Sequence, residues 1–81
     1  MTDNEMRTAA LIETIAGEVY KINRDNKLFA KLTIHNRGID VKVYKGSLIF
    51  KTYSASYSHP ELCKRLDIIL SGLLKTRRIA S

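Results

Sequence analysis

Hydrophobic positions along the chain follow two different periods. In the first quarter, Met6, Ala9, Ile12, Ile15, Ala16, Val19 and Ile22 recur at steps of three and four residues, which predicts a helix over about 3–23. Thr2 or Asp3 is placed to cap it. Asp3 and Glu5 in its first turn and Lys21 and Arg24 near its end complement the helix dipole. The period then changes to two. The segments 28–35, 39–44 and 47–53 alternate strictly and read as strands. Ser54 to Tyr57 is a polar connection, and Ser58-His59-Pro60-Glu61 reads as a capping box with Ser58 as cap. Leu62, Leu66, Ile69, Leu70, Leu73 and Leu74 then mark a second helix over about 59–75, ahead of a basic tail at 76–81.

The expected fold is therefore α+β, one small domain spanning 1–81 in the order α-β-β-β-α. Both helices would pack on one face of a three-stranded antiparallel sheet. Arg37-Gly38 and Lys45-Gly46 suit two-residue hairpin loops, because Gly tolerates φ > 0. Those loops would pair Ile34 with Val41, Val43 with Leu48 and Val41 with Phe50, so that inward residues meet inward residues. The inner face would hold Leu28, Ala30, Leu32, Ile34, Ile39, Val41, Val43, Leu48 and Phe50. The outer face would display Phe29, Lys31, Thr33, His35, Asp40, Lys42, Tyr44, Ile49, Lys51 and Tyr53.

Charge sharpens this picture. The 81 residues carry a formal net charge of +6, unevenly spread. Residues 1–26 hold five acids and three bases, whereas residues 27–81 hold eleven bases and three acids. The positive charge thus belongs to the sheet and the second helix, where it coincides with aromatic residues. Ammonium groups among flat rings suit an anionic polymer with stackable bases. Lys31, Lys42, Tyr44, Lys51 and Tyr53 are the candidate contacts on the sheet, with Lys64, Arg65, Arg77 and Arg78 as a second basic surface on the second helix. Phe29 and Ile49 are apolar for an exposed face. They mark a possible interface, either in a homodimer or with an acidic protein partner.

Other chemistry is sparse. One cysteine, Cys63, excludes an intramolecular disulfide, and its place on the apolar stripe reads as a small buried hydrophobe. One Cys and two distant His residues offer no metal site, and no cofactor motif is present. His35, Asp40 and Lys51 would lie side by side across the strands. That cluster could support acid–base chemistry, although a cross-strand ionic cluster is the commoner outcome, and His59 reads as a turn residue. Catalysis is not expected, and a single-histidine ribonuclease is the enzymatic alternative. The acidic, polar start is unlike a signal peptide, and the apolar run around Ile68 to Leu74 is too short to cross a bilayer. A soluble cytoplasmic protein with no membrane partner is the expectation.

The order α-β-β-β-α over roughly 5–75 resembles the double-stranded-RNA-binding domain. The likeness is one of topology. The first hairpin loop, at Asn36-Arg37-Gly38, lacks that family's Gly-Pro-x-His pattern, and Ser58-His59-Pro60-Glu61 stands where its lysine-rich helix start would be. The resemblance implies an RNA partner and transfers no site residue. HicA-type mRNA interferase toxins are similar in the same coarse way, with one catalytic His on a strand after a Gly-Ser/Thr pair; His35 follows Thr33-Ile34 instead. Two function classes remain: an RNA-favouring, non-catalytic nucleic-acid-binding module, or a protein-interaction or inhibitor module such as a phage or mobile-element accessory protein.

Overall fold

The computed structural model describes residues 2–80, and Met1 and Ser81 lie outside the described residues. The element order is α1 (Asp3–Asp25), β1 (Phe29–His35), β2 (Gly38–Lys45), β3 (Leu48–Ser56) and α2 (Leu62–Ala80). The strands form one antiparallel sheet in the order β1-β2-β3. α1 packs along β1, α2 along β3, and the helices pack on each other. The class and layering are those expected from the hydrophobic pattern. Ile15, Val19 and Ile22 of α1 and Leu66, Ile69 and Leu73 of α2 close over Ala30, Ile39, Val41, Val43 and Ala55 to form the core.

Local chemistry sets the ends of α1. The Thr2 hydroxyl caps the helix by accepting from the Glu5 amide at 3.1 Å, and it is held there by donating to the Glu5 carboxylate at 3.2 Å. At the other end Asn26 adopts φ 60°, a left-handed cap that Asn tolerates better than most residues. The helix therefore runs to Asp25 rather than ending near 23.

α2 departs from expectation at both ends. Its first residue is Leu62, and Ser58 does not cap it, because the Ser58 hydroxyl bonds to that of Ser56 at 2.9 Å. The His59 ring instead braces the turn that leads into the helix, its Nδ1 accepting from the Glu61 amide at 3.0 Å. At the far end the segment expected as a basic tail is helical through Ala80. Thr76 is buried there and returns its hydroxyl to the Gly72 carbonyl at 2.8 Å. Burial against the core carries the helix past the last leucine of the stripe.

The registers also differ from the expected ones. In the first hairpin Asn36 and Arg37 form the loop and Gly38 opens β2 opposite His35, so Leu32 pairs with Val41 and Ile34 with Ile39. Both strands slip by one position, and inward still meets inward. Gly38 is needed for another reason: a Cβ there would run into the Ala55 carbonyl of β3. The second loop is Gly46-Ser47, with Gly46 at φ +63°, the first-position requirement of a type II′ turn.

β3 then carries a bulge. Ile49 pairs with Tyr44 but Lys51 pairs with Val43, leaving Phe50 as the extra residue. One inserted residue reverses the facing of everything after it. Lys51, Tyr53 and Ala55 turn to the helix side, while Thr52, Ser54 and Ser56 turn outward. The expected outward placement of Lys51 and Tyr53 is thereby corrected. β3 also continues to Ser56, through the stretch read as a connection, since Ala55 fills a core position.

Candidate functional site

The outer sheet face is built in rows, because residues paired across antiparallel strands project to the same side. The row nearest the β2–β3 loop is Phe29–Tyr44–Ile49. Next comes Lys31–Lys42–Thr52, then Thr33–Asp40–Ser54, and last His35–Gly38–Ser56. One end of the face is thus aromatic and apolar, the middle cationic, and the far end carries hydroxyls together with the Asp40 carboxylate and the His35 ring. The Phe29 and Tyr44 ring centroids lie 5.9 Å apart with planes inclined at 37°. Phe29 is 55% exposed and Ile49 60%, with Tyr44 half-buried between them.

Lys31 and Lys42 face each other directly across the ladder, and both are exposed. Among the described residues neither has an acidic partner within ion-pair distance. Like charges opposed in this way destabilise a sheet by a few tenths of a kcal/mol to ~1 kcal/mol. The pair is therefore poised to gain from a bound anion.

The other candidate residues do not join this face. Tyr53 lies under α2, where a Cβ added to Gly72 would come within 2.5 Å of its hydroxyl. Lys51 is on the helix side with its ammonium 5.8 Å from the Phe50 ring centroid. Arg65 donates to the Ser54 carbonyl at 3.0 Å and ties α2 to β3. Lys64 pairs with Glu61 at 3.7 Å. Arg77 is engaged most deeply: its Nε lies 2.9 Å from Oε2 of Glu18, a buried carboxylate that also meets Lys21 at 3.3 Å. Arg78 is exposed in the last turn of α2, away from the outer face of the sheet. Of the nine basic and aromatic candidates, the structure brings together Lys31, Lys42 and Tyr44, with Phe29 and Ile49 beside them.

The His35 cluster is also rearranged. His35 Nε2 lies 3.0 Å from Asp40 Oδ2, a diagonal neighbour, and Nδ1 accepts from the Arg37 amide at 3.3 Å. Both ring nitrogens are thus occupied by this hairpin. Lys51 is not part of the cluster. Cys63 is half-buried, its sulfur 3.4 Å from the Thr8 hydroxyl. Among the described residues no group of three His, Cys, Asp or Glu side chains could hold a metal ion, and no helix is long and apolar enough to cross a membrane.

Thr52, Ser54 and Ser56 are outward residues that the alternation over 47–53 does not place on this face. Only the bulge places them there, and no pattern in the 47–53 segment announces it. No family model matches the chain, and comparison with the curated proteins and with the solved structures gives no significant match.

Proposed function

We propose that this chain is a small, non-catalytic cytoplasmic module that binds single-stranded nucleic acid across the outer sheet face, favouring RNA. The observation that carries the reading is the opposed Lys31–Lys42 pair lying one row from the Phe29 and Tyr44 rings. Phosphates would sit over the ammonium pair while adjacent bases stack on the rings, each stack contributing roughly 1–3 kcal/mol. Thr52 lies in the lysine row and Thr33 and Ser54 in the next, where their hydroxyls can bond a ribose 2′-OH. A non-catalytic role is supported by the His35 ring, whose two nitrogens are already engaged.

Fluorescence anisotropy with a short labelled oligouridine tests the proposal, with the matching deoxy-oligomer as comparison. Binding should weaken steeply between about 50 and 200 mM salt, and Lys31→Glu with Lys42→Glu should abolish it. Binding indifferent to both changes removes this reading.

A second reading is favoured by Ile49, whose exposed side chain extends the aromatic row without offering anything to a base. On that reading Phe29, Tyr44 and Ile49 form the centre of a protein interface, with a second copy or with an inhibited partner. Sedimentation equilibrium separates the two: a dimer that Ile49→Ser makes monomeric supports the interface.

A further inference from the structure

The two helices run parallel, as the contacts Thr8–Cys63 and Glu18–Arg77 require. Lys45 beside the β2–β3 loop and Ile79 in the last turn of α2 line one groove, so both helix C-termini lie at the end that carries this loop. The chain is elongated, 39 × 18 × 16 Å, and the 23-residue α1, about 35 Å long, can lie only along the long axis. The loop and the end of α2 therefore form one narrow end of the molecule. It carries the two most exposed large apolar side chains described, Leu48 at 74% and Ile79 at 79%. Leu48 pairs with Lys45, and both project to the helix side, opposite to their neighbours Ile49 and Tyr44. Lys51 follows on the same side, and Lys75 stands one turn before Ile79 on the same side of α2. These three lysines are exposed, and none forms an ion pair among the described residues. Asp25 and Glu18, acids of the adjoining part of α1, are already held, the first by Arg24 at 3.6 Å and the second by Arg77 and Lys21.

We infer that this end docks on an anionic lipid surface, Leu48 and Ile79 entering the headgroup region while Lys45, Lys51 and Lys75 meet lipid phosphates. The inference is independent of the outer-face reading, since none of these residues belongs to the rows of that face. Such contact is peripheral and needs no membrane-spanning helix, of which the described residues hold none. Three features favour this occupant. Leu48 and Ile79 come from separate elements and stand out from the end, and a fluid surface accepts projecting side chains without a matching pocket. Lysine stems beside them can lie along apolar surface with the ammonium groups at headgroup level, each adding attraction to anionic lipid. The two helix C-termini contribute about −1 together, which three free ammonium groups outweigh. Two copies meeting through this end would bring those lysines together, which disfavours self-association here.

The test is co-sedimentation of the full chain with vesicles of phosphatidylcholine carrying about one quarter phosphatidylglycerol, with pure phosphatidylcholine vesicles as control. The chain should pellet with the mixed vesicles and stay in solution with the control. Leu48→Ser with Ile79→Ser should weaken that binding at least about tenfold, and Lys45→Ala with Lys51→Ala about thirtyfold. Met6→Ser, an exposed apolar position at the opposite end of α1, should leave it within about twofold. The chain has no tryptophan, so Leu48→Trp supplies a single probe whose emission should shift to the blue on mixed vesicles, while that of Met6→Trp should not. Oligouridine binding by Leu48→Ser with Ile79→Ser should match that of the unmodified chain, which keeps this inference separable from the outer-face reading. No pelleting with the mixed vesicles, full pelleting by the doubly substituted Leu48 and Ile79 variant, or an unchanged Leu48→Trp spectrum overturns the inference. So does a dimer that the same double variant makes monomeric in the absence of vesicle binding, which would assign this end to a second copy.

Discussion

The side-chain amide of Asn23 makes two hydrogen bonds to the backbone of Ala30, accepting from its N–H at 2.6 Å and donating to its carbonyl at 2.9 Å. A side chain in the last turns of α1 thereby stands in for a neighbouring strand at the open edge of β1. The arrangement satisfies two backbone groups beside a buried residue and blocks that edge from pairing with another chain. It also fixes the angle at which the chain leaves α1, and hence where Phe29 and Lys31 emerge on the outer face.

Asn23→Ala should therefore cost about 1–3 kcal/mol, the penalty for leaving buried backbone groups unpaired. Asn23→Asp should not rescue it, because a carboxylate opposes the Ala30 carbonyl. Urea unfolding of the three proteins measures this; equal midpoints would show that the bonds contribute nothing.

Two glycines on the helices should respond to alanine with opposite sign. A Cβ on Gly17 meets nothing within 4 Å, so Gly17→Ala should stabilise by about 0.5–1 kcal/mol through helix propensity. On Gly72 it would meet the Tyr53 ring at 2.8 Å, and overpacking of about 1–3 kcal/mol should outweigh the same propensity gain. Thermal melts of both variants decide the matter.

Arg77 belongs to the fold before it belongs to any ligand. Arg77→Met strands the buried Glu18 carboxylate with Lys21 alone, and we expect a loss of about 2–3 kcal/mol, below the range for a fully isolated buried charge. Glu18→Leu combined with Arg77→Met should recover most of that stability. Denaturation of the single and double variants gives the coupling directly.

The two sides of the sheet can be told apart by charge reversal. Lys42→Glu should weaken oligouridine binding at least about tenfold, while Lys51→Glu, on the helix side, should lower it only through net charge, by about twofold. Equal losses would mean that the aromatic row is not the platform.

The hydrophobic periods alone determined the element order, the layering and the inner identity of Ala30, Ile39, Val41 and Val43. A period of 3.6 or 2 declares which residues must leave water together, and burial enforces it. Pairing in the first hairpin kept its facing even though its loop moved to Asn36-Arg37, since a slip of one position in both strands preserves parity. Thus Phe29, Lys31, Lys42 and Tyr44 were legible as one surface from the sequence.

Tertiary structure decided β3 and the ends of α2. The bulge at Phe50 exists because Tyr53 and Ala55 pack beneath α2, with Gly72 making room for the Tyr53 ring, and those residues lie far apart in the chain. No local pattern carries that information. It moved Lys51 and Tyr53 away from the platform and brought Thr52 and Ser54 onto it. Likewise Glu18 is an unremarkable helix acid until Arg77 of the second helix reaches it. Local periodicity fixed the helix stripes and the core residues of β1 and β2, whereas contacts between distant segments fixed which side of β3 each side chain serves.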